Sequence, residues 1–197
     1  MRRTFIVIMA FSLMLVAAAP AFARGGPPAG VRPGTQTIAE IADAEGFDLL
    51  LEAVGYIAAT NPDSALVAGL LNSDQYTVFA PTDDAFVDLV VTLDGAFDEF
   101  NAADPFTSID ALLGAGTVEA VVSYHVTDGR RATNSVLPRR GERTISTLLP
   151  GATFSVSTGG VITAVGNSAN IGPADISASN GVIHVIDTVI LPVDLGL

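Results

Sequence analysis

The side chains able to move protons or hold an ion are few and scattered along this sequence. There are two histidines, His125 and His184, and no cysteine. Adjacent Asp83 and Asp84 are the nearest approach to a paired acid and base or a metal corner. Neighbouring helical residues point about 100° apart, however, and the positive end of a helix dipole accounts for both carboxylates. His184 and Asp187 lie three positions apart in a segment that reads as a strand, so alternation puts them on opposite faces and no His–Asp dyad is expected. Asp187 shares its face with Ile183, Val185, Val189 and Leu191, where a carboxylate must be hydrogen-bonded, and it reads as a structural latch. His125 is expected in a strand, on one face with Val121 and Ser123, while Tyr124 faces the other way with Val122 and Val126. A histidine bonded to neighbouring backbone is the reading there, because no second histidine or nucleophile lies nearby in sequence.

Motifs that would carry chemistry are missing. No G-x-S-x-G occurs, and GNSAN at 166–170 does not fit it. Phosphate loops and dinucleotide fingerprints are absent. A calcium loop beginning at Asp94 places Glu99 where the sharp turn needs glycine. No enzyme activity, cofactor or metal site is therefore expected. The one unusual cluster is basic: Arg130, Arg131, Arg139, Arg140 and Arg143 crowd into 14 positions of an otherwise acidic chain. They read either as loop guanidiniums offsetting nearby carboxylates, or as a dock, centred on Arg139 and Arg140, for an acidic polysaccharide or another copy's acidic face.

The elements that position these groups follow from periodicity. Leu50, Val54, Ile57 and Ala58 mark one helical face, preceded by a shorter helix near Ile38–Ala44, and Asp63–Leu71 continues the helical theme. YTVFA at 76–80 reads as a strand closed by Pro81. Thr82 caps the next helix, which carries the stripe Phe86, Leu89, Val90 and Leu93. From Val118 onward the pattern turns to strands: VEAVVSYHV, RTISTLL, ATFSVST, VITAV and GVIHVIDTVIL. Helices first and strands later predict an α+β domain with a mostly antiparallel sheet system.

Export is written into the N-terminus. Residues 1–23 combine Arg2 and Arg3, an apolar run from Phe5 to Val16, and Ala21-Phe22-Ala23 as a cleavage site, which predicts a signal peptide. The run of about 12 apolar residues is shorter than the roughly 20 of a spanning helix, so no stable membrane insertion is expected. Residues 24–36, rich in Gly and Pro, read as a flexible linker. After residue 23 seven arginines face 21 acidic residues, a net charge of −14 that argues against nucleic acid as a partner. The predicted location is secreted, extracellular or periplasmic.

Three stretches together resemble the fasciclin domain: Tyr76–Phe86 (YTVFAPTDDAF), Tyr124-His125 within VVSYHV, and Ala174–Pro192 (ADISASNGVIHVIDTVILP). The resemblance covers residues 37–193. It implies a wedge of about seven strands with several, mostly N-terminal, helices, and a module adhering to cell-surface or matrix protein or to polysaccharide. Carriers of apolar pigments are similar to the same family, so a carrier of a carotenoid or lipid is the alternative. The resemblance also implies partner contact near Tyr124 and His125, and at Asp175 and Ile176, which it suggests are an exposed aspartate and hydrophobe.

Overall fold

The computed structural model describes residues 34–71, 74–94 and 105–195. The predicted signal peptide, most of the linker and Glu99 of the rejected calcium loop lie outside them. Within them the chain folds as three layers. Helices α1 (Ile38–Glu45), α2 (Asp48–Thr60), α3 (Ala65–Leu71), α4 (Asp83–Asp94), α5 (Pro105–Leu113) and α6 (Thr117–Tyr124) make the first layer. A sheet of β1 (Tyr76–Pro81), β2 (Val126–Asp128), β7 (Ile176–Ala178) and β8 (Gly181–Ile186), in the order β2-β1-β8-β7, makes the second. The third is the meander β3 (Glu142–Ser146), β4 (Thr153–Ser157), β5 (Val161–Thr163) and β6 (Ser168–Asn170), entered through the short helix α7 (Thr133–Val136).

The central strands explain the layering. β1 and β8 are buried on both faces, as their near-continuous apolar runs require. Val78, Ala80, Ile183 and Val185 join the helical core, while Phe79 and Ile186 join a second core with Tyr124, Ile145, Phe154, Val156 and Ile162. Burying each large side chain of this kind stabilises the fold by about 1.5–3 kcal/mol. β1 and β8 run parallel, with Tyr76 opposite Gly181, and every other strand pair is antiparallel. The α+β expectation of mostly antiparallel sheets holds, with eight strands in place of about seven.

Capping fixes the helical layer to the sheet. Thr37 and Glu40 close a reciprocal capping box on α1. Thr82 Oγ1 accepts from Ala85 N at 3.3 Å, as predicted. Asp83 does more than meet its own helix dipole, since its Oδ1 also accepts from Leu49 N at 3.1 Å and caps α2 from outside.

Three expectations need correction. The segment VEAVVSY is helix α6, not strand, and His125 is its C-cap. Val118, Val121 and Val122 stand at i, i+3 and i+4, a helical spacing obscured by the strand preference of valine, and Asp110 holds the α6 start by accepting from Val118 N at 2.9 Å. Helices α6 and α7 also fall after the point where strands alone were expected. Finally, the last residues of the expected linker are docked: Gly34 N donates to Ala178 O at 3.1 Å and Ser179 N to Gln36 O at 2.7 Å. Gly34 is required there, because a Cβ would lie 2.1 Å from Ser177 O.

Candidate functional site

Tyr124 and His125 lie at the junction of the two cores, and both are buried. The Tyr124 hydroxyl donates to Thr153 O at 2.8 Å, and its ring packs edge-on against Phe154. His125 Nδ1 donates to Val121 O at 2.7 Å, and Nε2 accepts from Ile190 N at 3.0 Å. Burial, only partly offset by the Val121 contact, pushes the imidazole down to about 4 and keeps it neutral. The expectation that these two side chains themselves touch a partner is corrected by their burial; they hold α6 to the segment after β8.

His184 makes the complementary arrangement with the opposite tautomer. Its Nε2 donates to Arg131 O at 2.8 Å, and its Nδ1 accepts from Asp175 N at 3.3 Å. Asp175 adopts a left-handed backbone, φ 60°, and its two carboxylate oxygens accept from Thr133 N and Thr133 Oγ1, each at 2.7 Å. Asp175 is half-buried and caps α7; Ile176 is half-buried and packs on the helical core. Neither is the freely exposed contact suggested by the resemblance, because the carboxylate is already engaged and the isoleucine covered.

These links brace the arginine cluster, which divides in two. Arg130 is turned inward, donating to Ala178 O and Ser177 Oγ at 2.7 Å and to Gln75 Oε1 at 3.2 Å. Arg131 Nε donates to Asp128 O at 3.1 Å, and Arg143 donates to Ser135 O across the base of the loop between α7 and β3. Arg139 and Arg140 sit at the tip of that loop, exposed and engaging no other described side chain. Pro138 precedes them, and Gly141, at φ 67°, turns the chain into β3 where a side chain would be strained. Two adjacent guanidiniums are thus held outward on a short loop with a locked base.

Asp187 follows the end of β8 and is exposed, so the shared apolar face expected of it is not observed. It does act as a tie, accepting from Asn170 N at 2.7 Å and Asn170 Nδ2 at 2.8 Å. Burial opposes its charge, but the Asn170 bonds and the Thr188 hydroxyl outweigh that and hold the carboxyl below its usual value. Asp187→Ala is expected to lower the unfolding free energy by about 1 kcal/mol, read by urea denaturation at neutral pH, with Asp187→Asn retaining part of it.

Several concavities open among the described residues, one of about 270 Å³ between α4 and the segment after β8, lined among others by Asp88, Thr92, Asn167 and Asp187. An apolar hollow of about 50 Å³ lies between α1, α2 and β1, lined by Ala42, Leu50, Val54 and Val78. Pockets for drug-sized ligands run to roughly 300–1,000 Å³, so a carotenoid would enter this hollow only if the helices parted. A wider, open cleft of about 540 Å³ lies between the end of α2 and the start of α6, lined among others by Tyr56, Thr60, Asn61, Asp110, Ala115 and Glu119. Asp110 Oδ2 accepts from Tyr56 Oη and Gly116 N, both at 3.1 Å; Glu119 accepts from Asn61 Nδ2 at 2.9 Å and Ser64 Oγ at 2.6 Å. The residues of this cleft come from α2, α5 and α6, and those joined across it, Tyr56 with Asp110 and Asn61 with Glu119, are 54 and 58 positions apart, beyond any motif window. The signal that points to it is the lack of any Lys or Arg from 35 to 129.

Comparison with known proteins agrees with the three sequence boxes. The fasciclin domain model matches residues 52–192. Protein sll1483 of Synechocystis is 36% identical over 161 residues, 79% of this chain and 73% of that protein. Immunogenic protein MPB70 of Mycobacterium bovis is 30% identical over 171 residues, 84% of this chain and 74% of that protein. Cell surface glycolipoprotein MPB83 of the same species is 33% identical over 133 residues, 67% of this chain and 50% of that protein. Among solved structures, a FAS1 domain pair from the insect cell adhesion molecule fasciclin I aligns with a TM-score of 0.44 and 14% identity over 72% of this chain, which spans 45% of that one. Resting on the model match and the two relatives covered over most of their length, the conclusion is that the chain belongs to the fasciclin domain family.

Proposed function

We propose that this chain is an exported, non-catalytic adhesion-type module that binds an anionic extracellular partner, polysaccharide or protein, through Arg139 and Arg140. The carrying observation is the braced loop: of five clustered arginines, these two alone are exposed and unengaged among the described residues. Guanidiniums bind carboxylates, sulfates and phosphates by paired hydrogen bonds, and a loop that is already ordered loses less entropy on binding. Absence of catalysis is supported by the histidines, whose four ring nitrogens are all occupied by backbone groups. Export is supported by residues 1–23 and by the cell-surface naming of the MPB83 relative. No described helix is long and apolar enough to cross a membrane.

The test is salt elution from an immobilised anionic polysaccharide. Wild type is expected to be retained and the Arg139→Gln/Arg140→Gln variant to bind about tenfold more weakly. Equal elution of the two proteins would remove the loop from the account.

A further inference from the structure

The geometry points to a second copy of this chain as a partner of the arginine loop, seated in the cleft between α2 and α6. This inference rests on the reading of Arg139 and Arg140 as contact residues and names what they contact. Charge along the sequence is sharply divided. From residue 35 to residue 129 there are 17 acidic residues and no basic one, while residues 130–197 carry five arginines and four acids. The excess negative charge is therefore concentrated on the part that includes the whole helical layer, while the remainder is close to neutral.

Within that layer the cleft is a concave place lined by two carboxylates. Asp110 and Glu119 are held by neutral donors only: a phenol, an amide, a hydroxyl and backbone N–H groups. The start of α6 answers part of their charge with its dipole and N–H groups, but no guanidinium among the described residues pairs with them, and Asp110 Oδ1 and both Glu119 oxygens each accept one bond, leaving a lone pair open. The C-terminus of α2, a 13-residue helix with no basic residue in its last turn, adds the negative end of its dipole. Tyr56, whose ring packs against Phe106 with centroids 6.2 Å apart, also lines the cleft. Two fixed carboxylates on one side answer two adjacent arginines on a fixed loop on the other.

The loop and the cleft of one molecule belong to different layers: α2 and α6 pack into the helical core, whereas Val136 of α7 and Ile145 of β3 lie in the second core. The contact is thus made between molecules. It is heterologous: a copy whose loop is seated still offers its own cleft, so association runs head to tail. Ionic strength sets its window. The overall repulsion between copies at −14 each is screened beyond about 10 Å near 0.1 M salt, while contacts at hydrogen-bond distance survive there and weaken toward 1 M.

Sedimentation velocity on the protein recovered from its producing cells tests this. Two variants isolate the two sides: Arg139→Gln/Arg140→Gln removes the charge of the loop, and Ala115→Arg places a positive charge in the cleft without removing any of its hydrogen bonds. Wild type is expected to form oligomers that grow with concentration near 0.1 M salt and dissociate near 1 M. Each variant alone should be monomeric. Their equimolar mixture should give a dimer and nothing larger, since only the intact loop of one and the intact cleft of the other can join. A monomeric wild type, a variant that still oligomerises, or a mixture that stays monomeric or grows past a dimer would each overturn the inference. Polysaccharide retention separates the two claims: loop-dependent retention with a monomeric wild type leaves the arginine loop standing and removes self-association.

Discussion

Acidifying the protein from about pH 6.5 to about pH 4 is expected to lower its unfolding free energy by about 3 kcal/mol, with His125 the main cause. The folded pKa of His125 is about 4 against an ordinary value of 6.5, so between these values the unfolded chain binds a proton that the folded chain refuses. Stability is therefore full above pH 6.5 and falls as pH drops, by about 1.4 kcal/mol per unit, until the folded imidazole itself protonates. Protonation there would turn Nε2 from an acceptor into a donor facing Ile190 N, breaking a buried bond. His184 is shifted in the same direction, by burial ahead of the opposing Arg131 and Asp175 contributions, and adds to the slope. The carboxyls held low, Glu40 and Asp187, act in a more acidic window, because their contribution is lost only as pH falls from their ordinary values of 4.5 and 3.8 through the lower folded ones. Urea titrations across pH 7 to 4.5 check this. His125→Gln, which can still accept from Ile190 N, should be less stable at pH 7 but show a clearly flatter dependence on pH; an unchanged slope would exonerate the residue.

Replacing Tyr124 separates a structural role from a recognition role in the tyrosine-histidine pair. Tyr124→Ala should cost about 3–5 kcal/mol, because it empties a fully buried ring site against Phe154. Tyr124→Phe keeps the ring and loses only the bond to Thr153 O, at about 1 kcal/mol. Thermal or urea unfolding reads both. A Phe variant as unstable as the Ala variant would mean that the hydroxyl, not the packing, carries this junction.

Sequence made the frame legible where chemistry is local. The TDD start of α4 declares itself through a cap and a dipole, and β1 and β8 through short apolar runs rich in strand formers. It failed where tertiary partners decide. α6 is rich in valine, which favours strands, whereas its first turn is stabilised by Asp110, a carboxylate eight residues away from Val118. Of the four three-residue strands, β2, β6 and β7 exist only through their pairing, which no short window contains. The same limit governs the site. All five arginines look alike in sequence, and what divides them is that Arg130 finds Ser177 and Ala178 while Arg139 and Arg140 find solvent. Asp175 looked exposed because its engagement depends on Thr133, 42 positions away.

The central claim is that recognition lies in the arginine loop and not in the buried tyrosine-histidine pair. The direct test compares Arg139→Gln/Arg140→Gln and Tyr124→Phe side by side for retention on the same anionic polysaccharide surface, after both are shown to be folded. The arginine variant is expected to lose retention while the tyrosine variant is retained like wild type. Retention kept by the arginine variant and lost by the tyrosine variant would contradict it.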